Sequence, residues 1–181
     1  MFILYAVLIG LIVGLALGGR PTGLAAIPFR WAPLVFVGFA AQVILFSAPV
    51  TERIGDLGAP LYVLSTGLVL VALGRNLRVP GMPIVAVGAL ANFAAIVANG
   101  GFMPAAPAAL AAVHREVASV YSNSAVLPDP ALGPLTDLFA LPGWLPFANV
   151  FSVGDVLIGL GVAAVIVGAM RRSPSGAASP A

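Results

Sequence analysis

The sequence predicts an all-α integral membrane protein, a bundle of five transmembrane helices with an amphipathic helix on its outer side. The first reason is composition: of the 181 residues, 61% are hydrophobic and only 8% are charged. Soluble domains carry about 25% charged residues, so this chain could not cover a soluble globule with polar surface. The second reason is that long apolar segments alternate with short charged joints.

A membrane-spanning helix needs about 20 mostly apolar residues. Five stretches come close to this length, and they cover residues 1–19, 31–50, 57–74, 81–99 and 151–170. A signal peptide is the alternative for the first stretch. However, its only nearby positive charge, Arg20, follows the apolar run, which favours a retained helix with its N-terminus outside.

The charged joints predict the orientation of the bundle. Short loops rich in arginine mark the cytoplasmic side. The basic joints hold Arg20, Arg30, Arg75, Arg78, Arg171 and Arg172, and the acidic residues Glu52, Asp56, Glu116, Asp129, Asp137 and Asp155 lie in or beside the others. Five crossings therefore place the N-terminus outside and the C-terminus in the cytoplasm, whereas four crossings would leave one basic pair outside. We expect one bundle domain over residues 1–170 and a disordered cytoplasmic tail over 171–181.

The segment 100–150 is the long connection on the outer side. Within residues 105–121, apolar side chains recur at helical spacing, which predicts the amphipathic helix. The stripe comprises Leu110, Val113, Val117 and Val120. Residues 127–147 combine many prolines with large apolar side chains, so we expect them to lie at the membrane interface or to dip into the bundle.

Small residues repeat along two of the predicted helices. The first helix carries Ala6, Gly10, Gly14 and Gly18, and the last carries Gly154, Gly161 and Gly168. Small side chains let helix backbones approach closely in lipid, where the hydrophobic effect does not drive helices together. Packing within the monomer is the favoured interpretation, and a homodimer through the first helix ranks below it.

Several functional classes are disfavoured by composition. The chain has no cysteine and one histidine, His114, so we predict no metal site and no cofactor. A net charge of +2 without a basic patch argues against nucleic-acid binding. Ionisable groups at mid-membrane depth and an internal repeat are both missing from the sequence, which disfavours a channel or a transporter.

Uncharged polar residues toward the outer side are the candidate ligand-binding residues: Gln42, Asn92, Asn99 and Asn149. If the helices form a bundle, these groups face one outward-opening cavity with an apolar lining. Such a cavity suits a lipid, an isoprenoid or quinone, or a helix of a partner membrane protein. For each residue, a hydrogen bond between helices or a helix end is the simpler alternative.

Asp137 and Asp155 are the candidate catalytic residues. Ser152 followed by Asp155 fits a capping box at the start of the last helix, which is the simpler interpretation. The stretch LTDLFALPGWLPFANVFSVGDVLIGLGV also resembles the C-terminal active-site region of lipoprotein signal peptidases, aspartyl peptidases of the outer leaflet. That resemblance implies that Asp137 is the first catalytic aspartate and Asp155 the second.

Two further motifs, NGGFMP at 99–104 and NVFSVGDVLIGLG at 149–161, resemble a family of small bacterial polytopic membrane proteins without an assigned function. The resemblance implies a multi-pass protein of the bacterial plasma membrane and no particular reaction. We therefore expect a binding or accessory membrane protein whose partners are membrane lipids, and keep an aspartate-dyad hydrolase as the alternative.

Overall fold

The computed structural model describes residues 2–114 and 122–172. This part of the chain is mostly helical. Its α-helices are α1 (Phe2–Ala16), α2 (Ala32–Leu45), α3 (Ala48–Ile54), α4 (Gly58–Gly74), α5 (Met82–Ala98), α6 (Pro107–Ala112) and α7 (Val153–Arg171). Its strands have two residues each and are β1 (Met103–Pro104), β2 (Ser124–Ala125), β3 (Phe139–Ala140) and β4 (Val150–Phe151).

Each of the five predicted segments contains one long apolar helix: α1, α2, α4, α5 and α7. Within the described part of the chain, two stretches are long and apolar enough to cross a membrane, namely Ala48–Gly74, which joins α3 to α4, and Val153–Arg171. The helices α1, α2 and α5 are apolar but shorter, with 15, 14 and 17 residues respectively. The structure thus agrees with a protein of apolar helices.

The second predicted helix, over residues 31–50, is interrupted. α2 ends at Leu45, and α3 begins at Ala48 with Pro49 in its first turn. Proline suits the first turn of a helix because its missing N–H would have no intrahelical partner there. Ser47 stands between the two helices, and its hydroxyl donates to the Ile44 carbonyl at 2.6 Å.

Helix α7 packs against α1 through the small residues of α1. A Cβ placed on Gly10 would lie 3.0 Å from Ala163 Cα, and one on Gly14 would lie 2.6 Å from Met170 Sδ. This stripe therefore serves packing within the monomer. Gly18 does not take part in this packing. It follows the end of α1 with a positive φ of 77°, and a Cβ placed on it would meet nothing within 4 Å.

Helix α7 also packs against α5, and here backbone meets backbone. A Cβ on Gly88 would lie 2.8 Å from Ile158 N, and one on Gly161 would lie 2.6 Å from Val85 N. The two helices run antiparallel, so the start of α7 meets the end half of α5. Gly168 is the third glycine of the predicted α7 stripe, and a Cβ placed on it would meet nothing within 4 Å.

The helices α2 and α4 form a second antiparallel pair. A Cβ on Gly38 would lie 2.6 Å from a Val69 methyl group, and Gln42 Nε2 donates to Thr66 Oγ1 at 3.2 Å. A buried cluster then joins this pair to α5 and the outer segment: Leu45, Tyr62, Ala95, Ile96 and Met103. We call the end of the bundle where α5 ends and α7 begins the acidic end, and the opposite end the basic end.

The outer segment contains short strands, which the all-α prediction missed. β1 pairs in parallel with β2, β3 pairs antiparallel with β4, and a parallel bridge links Ala105 to Asp137. These pairings satisfy the backbone of a segment in which frequent prolines prevent long helices. The predicted amphipathic helix over 105–121 is correspondingly short, because α6 ends at Ala112 and His114 has a φ of 53°. Residues 115–121, with Val117 and Val120, and the predicted tail beyond 172 lie outside the described residues.

The packing of α7 predicts different effects for two glycines of this helix. Gly161→Ala should destabilise the protein by about 1–3 kcal/mol because the new methyl group overlaps the α5 backbone. The matched change Gly168→Ala, at an open position of the same helix, should leave stability unchanged or slightly higher. Thermal unfolding in one detergent measures both variants, and equal melting temperatures would contradict the close α5–α7 contact.

Candidate functional site

A polar cluster lies at the acidic end, where α7 begins beside α5 and the outer segment. We call it the carboxyl cluster, and it comprises Asn92, Asp137, Ser152 and Asp155. Ser152 precedes α7 in an extended conformation and is fully buried. Its Oγ accepts a hydrogen bond from Asp155 N at 3.0 Å, and its own N–H donates to Asp155 Oδ2 at 3.1 Å. The predicted capping box is therefore present.

Asn92 connects this capping box to α5. Its Nδ2 donates to Asp155 Oδ1 at 2.9 Å, and its Oδ1 accepts from Ser152 Oγ at 2.7 Å. Each carboxylate oxygen of Asp155 thus accepts one hydrogen bond. Asn92 can reach α7 because Gly154 has no side chain, since a Cβ there would collide with Asn92 Oδ1.

Asp137 enters the cluster from the outer segment. Its backbone is held on both sides, since Asp137 N donates to the Pro104 carbonyl at 2.9 Å and Ala106 N donates to the Asp137 carbonyl at 3.0 Å. β3 pairs Phe139 with Phe151 in β4, so continuing this register brings Asp137 to the start of α7. Only 8% of Asp137 is exposed.

The environment of Asp137 favours its protonated form. Burial raises the pKa of Asp137 from 3.8 to about 7, and the neighbouring charge of Asp155 contributes to the increase. Near neutral pH, Asp137 can therefore hold a proton and donate a hydrogen bond, while the Asp155 oxygens accept hydrogen bonds from Asn92 and Ser152. Two carboxyl groups near enough to influence each other's charge, one a donor and one an acceptor, can bind a polar group or can divide the roles of acid and base.

Of the four predicted ligand-binding residues, Asn92 belongs to the carboxyl cluster. Gln42 bonds to Thr66 between α2 and α4. Asn99 donates to the Ala131 carbonyl at 2.8 Å and accepts from Ala131 N at 2.9 Å, which ties the end of α5 to the outer segment. Asn149 donates to the Val150 carbonyl at 2.7 Å, and its buried Oδ1 has no hydrogen-bond partner among the described residues. These three residues thus form hydrogen-bond groups of their own.

An apolar cavity of about 380 Å³ lies between α2, α3 and α4, toward the acidic end. Its lining contains one polar residue, Ser65, and no member of the carboxyl cluster. The lining residues are Ala41, Ile44, Leu45, Val50, Ile54, Leu61, Leu64, Ser65 and Leu68. Within residues 2–114 and 122–172, no group of three or more His, Cys, Asp or Glu side chains is placed to hold a metal ion.

The sequence interpretation missed Asn76 at the basic end. Asn76 is 2% exposed, and its Nδ2 donates to the carbonyls of Arg30 and Ala72, both at 2.7 Å. Its Oδ1 accepts from Arg30 N at 2.7 Å. One signal could have revealed it, because Asn76 is an uncharged amide between the charged residues Arg75 and Arg78.

These features define a small helical protein whose apolar helices pack through glycines and enclose a buried carboxyl pair at one end. The chain belongs to a family of unknown function, DUF5317, whose profile matches residues 26–167. The expectation of a family without an assigned function is thereby confirmed. No curated protein and no solved structure matches the chain. The resemblance to signal peptidases stays a hypothesis.

Because the pKa of Asp137 is about 7 in the folded protein and 3.8 ordinarily, folding favours the protonated form. Stability should therefore fall as pH rises from about 4 to 7, by up to about 1.4 kcal/mol per pH unit. Asp137→Asn, a neutral side chain of similar shape, should flatten this dependence and melt higher than the wild type at pH 8.

Thermal unfolding across pH 4.5–8 measures this prediction. Asp129→Asn is the matched control, because Asp129 is an exposed carboxylate of the same segment and its removal should retain the wild-type pH dependence. An Asp137→Asn variant that is less stable than the wild type at pH 8 would contradict the buried, protonated state.

Proposed function

We propose that the protein crosses the bacterial plasma membrane five times, with its N-terminus outside and its C-terminus in the cytoplasm. The surface of the bundle supports this because large apolar side chains point away from it, such as Phe36 at 72% and Val43 at 74% exposure. Water would disfavour such a surface, whereas lipid tails accept it. The separation of basic and acidic ends supports the orientation.

The function that the geometry supports best is binding of a lipid-like molecule, whose acyl or isoprenoid chain occupies the cavity between α2, α3 and α4. The observation that carries the proposal is the cavity itself, about 380 Å³ with a single polar lining residue. Small-molecule sites typically have about 300–1,000 Å³ and mostly apolar walls with a few polar groups.

The size of the cavity also bears on the possible occupants. One turn of a helix that is about 10 Å wide and 5.4 Å long occupies roughly 420 Å³. A single helical turn is thus about as large as the cavity, whereas a flexible chain can follow its apolar walls. Val50 and Ile54 of α3 form the wall near the acidic end, so the chain would enter from the lipid side between α2 and α4.

Two adjacent alanines of α2 test this binding site. Ala41 lines the cavity and Ala40 does not, and both are exposed on the bundle surface. Ala41→Phe should reduce co-purifying lipid at least about fivefold because the ring occupies the cavity, whereas Ala40→Phe should retain the wild-type amount. Native mass spectrometry from mild detergent measures the bound lipid. Similar amounts in both variants would refute binding in this cavity.

The carboxyl cluster supports a second candidate function, hydrolysis of a lipid-anchored substrate at the outer face. The specific observation is the pairing of a buried carboxyl group, Asp137, with a second carboxyl group, Asp155. In this reaction Asp155 would accept a proton from water as the water oxygen attacks the substrate carbonyl, and Asp137 would donate its proton to the carbonyl oxygen. As the tetrahedral intermediate collapses, Asp155 would pass its proton to the leaving nitrogen or oxygen, and a hydroxyl group of the intermediate would return a proton to Asp137 as the carbonyl forms again. The acyl bond would thereby break and release the amine or alcohol.

The hydrolase proposal predicts that Asp137→Asn abolishes turnover of a lipidated peptide, by about 1,000-fold or more, in protein that folds normally. Turnover by the wild type should decline above pH 7, because the proton on Asp137 is lost as pH rises through its pKa of about 7. Asp129→Asn should behave as the wild type. The assay uses purified protein in nanodiscs and detects the released peptide, and full turnover by Asp137→Asn would exclude the dyad.

A further inference from the structure

The basic end of the bundle contains a cavity of about 470 Å³ whose lining includes four arginines. They come from three separate parts of the chain: Arg30 before α2, Arg75 and Arg78 between α4 and α5, and Arg172 after α7. Of the residues that the structure describes, no acidic side chain lines the cavity. Its remaining lining residues are Pro28, Gly74, Asn76, Leu77 and Val79.

We propose that this arginine cavity binds a phosphate-bearing anion. Guanidinium groups form paired, charge-assisted hydrogen bonds with phosphate oxygens. A phosphate would neutralise positive charges that no described carboxylate in the lining balances. Basic pockets between membrane helices at the cytoplasmic side commonly hold lipid phosphates. The proposal is independent of the outer apolar cavity and of the carboxyl cluster.

The cavity has a fixed frame in addition to its charge. Asn76 forms two reciprocal hydrogen bonds of 2.7 Å with the backbone of Arg30. These bonds connect the basic joint before α2 with the basic joint between α4 and α5. Arg75 is oriented by Trp31, since its guanidinium carbon lies 4.8 Å from the centre of the Trp31 ring. Membrane orientation alone requires positive charge near the end of a helix. It does not require a buried amide that holds two such joints together.

The same phosphate chemistry occurs in an anionic lipid headgroup and in a free polyphosphate. The lipid arm of the experiment reconstitutes the full chain in phosphatidylcholine nanodiscs with or without 20% phosphatidylglycerol. The soluble arm adds inorganic pyrophosphate to the protein in pure phosphatidylcholine nanodiscs. In both arms the melting temperature and the bound anion, by native mass spectrometry, are measured. Both faces of a nanodisc are open to solvent, so a change of insertion direction in a variant does not affect the result.

The variants compare arginines inside and outside the cavity. Arg30→Gln/Arg78→Gln should weaken the binding of the effective anion at least tenfold. Arg171→Gln is the matched control, because Arg171 is an exposed arginine at the same end that does not line the cavity. It should change binding by less than twofold. The unliganded melting temperature of each variant identifies loss of folding, and Arg78→Gln alone provides a milder variant if the double change misfolds.

A response to pyrophosphate would identify a free phosphate ligand, and a response to phosphatidylglycerol alone would identify a lipid headgroup. Either result, with the stated difference between variants, supports the cavity. The absence of any response to both anions would overturn the proposal. An equal loss of binding in Arg171→Gln would also overturn it, since that result means diffuse attraction to a positively charged surface.

Discussion

The close approach of α7 to α5 and α1 is the constraint on which the rest of the structure depends. Backbones can come this near only where side chains are missing, and Gly88, Gly154 and Gly161 supply that condition on the α5 side. The contact decides more than packing. Because Gly154 has no Cβ, Asn92 can reach the start of α7 and bond to both Ser152 and Asp155.

Asp155 has a structural role in the carboxyl cluster, and it is also the residue to which the hydrolase proposal gives a chemical role. Asp155 completes a capping box, which stabilises the first turn of α7 and fixes the position of its carboxyl group. Asp137 is held through its backbone by the short strands of the outer segment, while its carboxyl group is buried and has no oppositely charged partner within residues 2–114 and 122–172. A capping aspartate alone would need no second buried carboxyl group beside it. The pair therefore calls for an explanation beyond helix capping.

Composition and hydrophobic length were sufficient to predict five apolar helices, because the length and polarity of a segment indicate such a helix whatever its packing partners are. They were insufficient for the interruption of the second helix at Ser47, where local turn chemistry prevails over a continuous apolar pattern. The prediction that Gly168 belongs to the packing stripe of α7 was wrong for a related reason. The spacing of glycines identifies a face of a helix, but the extent of the neighbouring helix decides how much of that face is covered. Gln42 and Asn99 likewise do not join Asn92 in one site. Gln42 bonds to Thr66, and Asn99 bonds to Ala131.

The two ends of the molecule differ in how their charges are balanced. A net charge of +2 suggests near neutrality. Among the residues that the structure describes, however, the carboxylates and most of the arginines lie at opposite ends, so neither group neutralises the other. At the acidic end, protonation can relieve the imbalance, because a carboxyl group such as Asp137 can hold its proton near neutral pH. Arginine cannot lose its proton at any physiological pH. The positive charge at the basic end must therefore be balanced by solvent, by salt or by a bound anion, and the frame that Asn76 builds around it favours the bound anion.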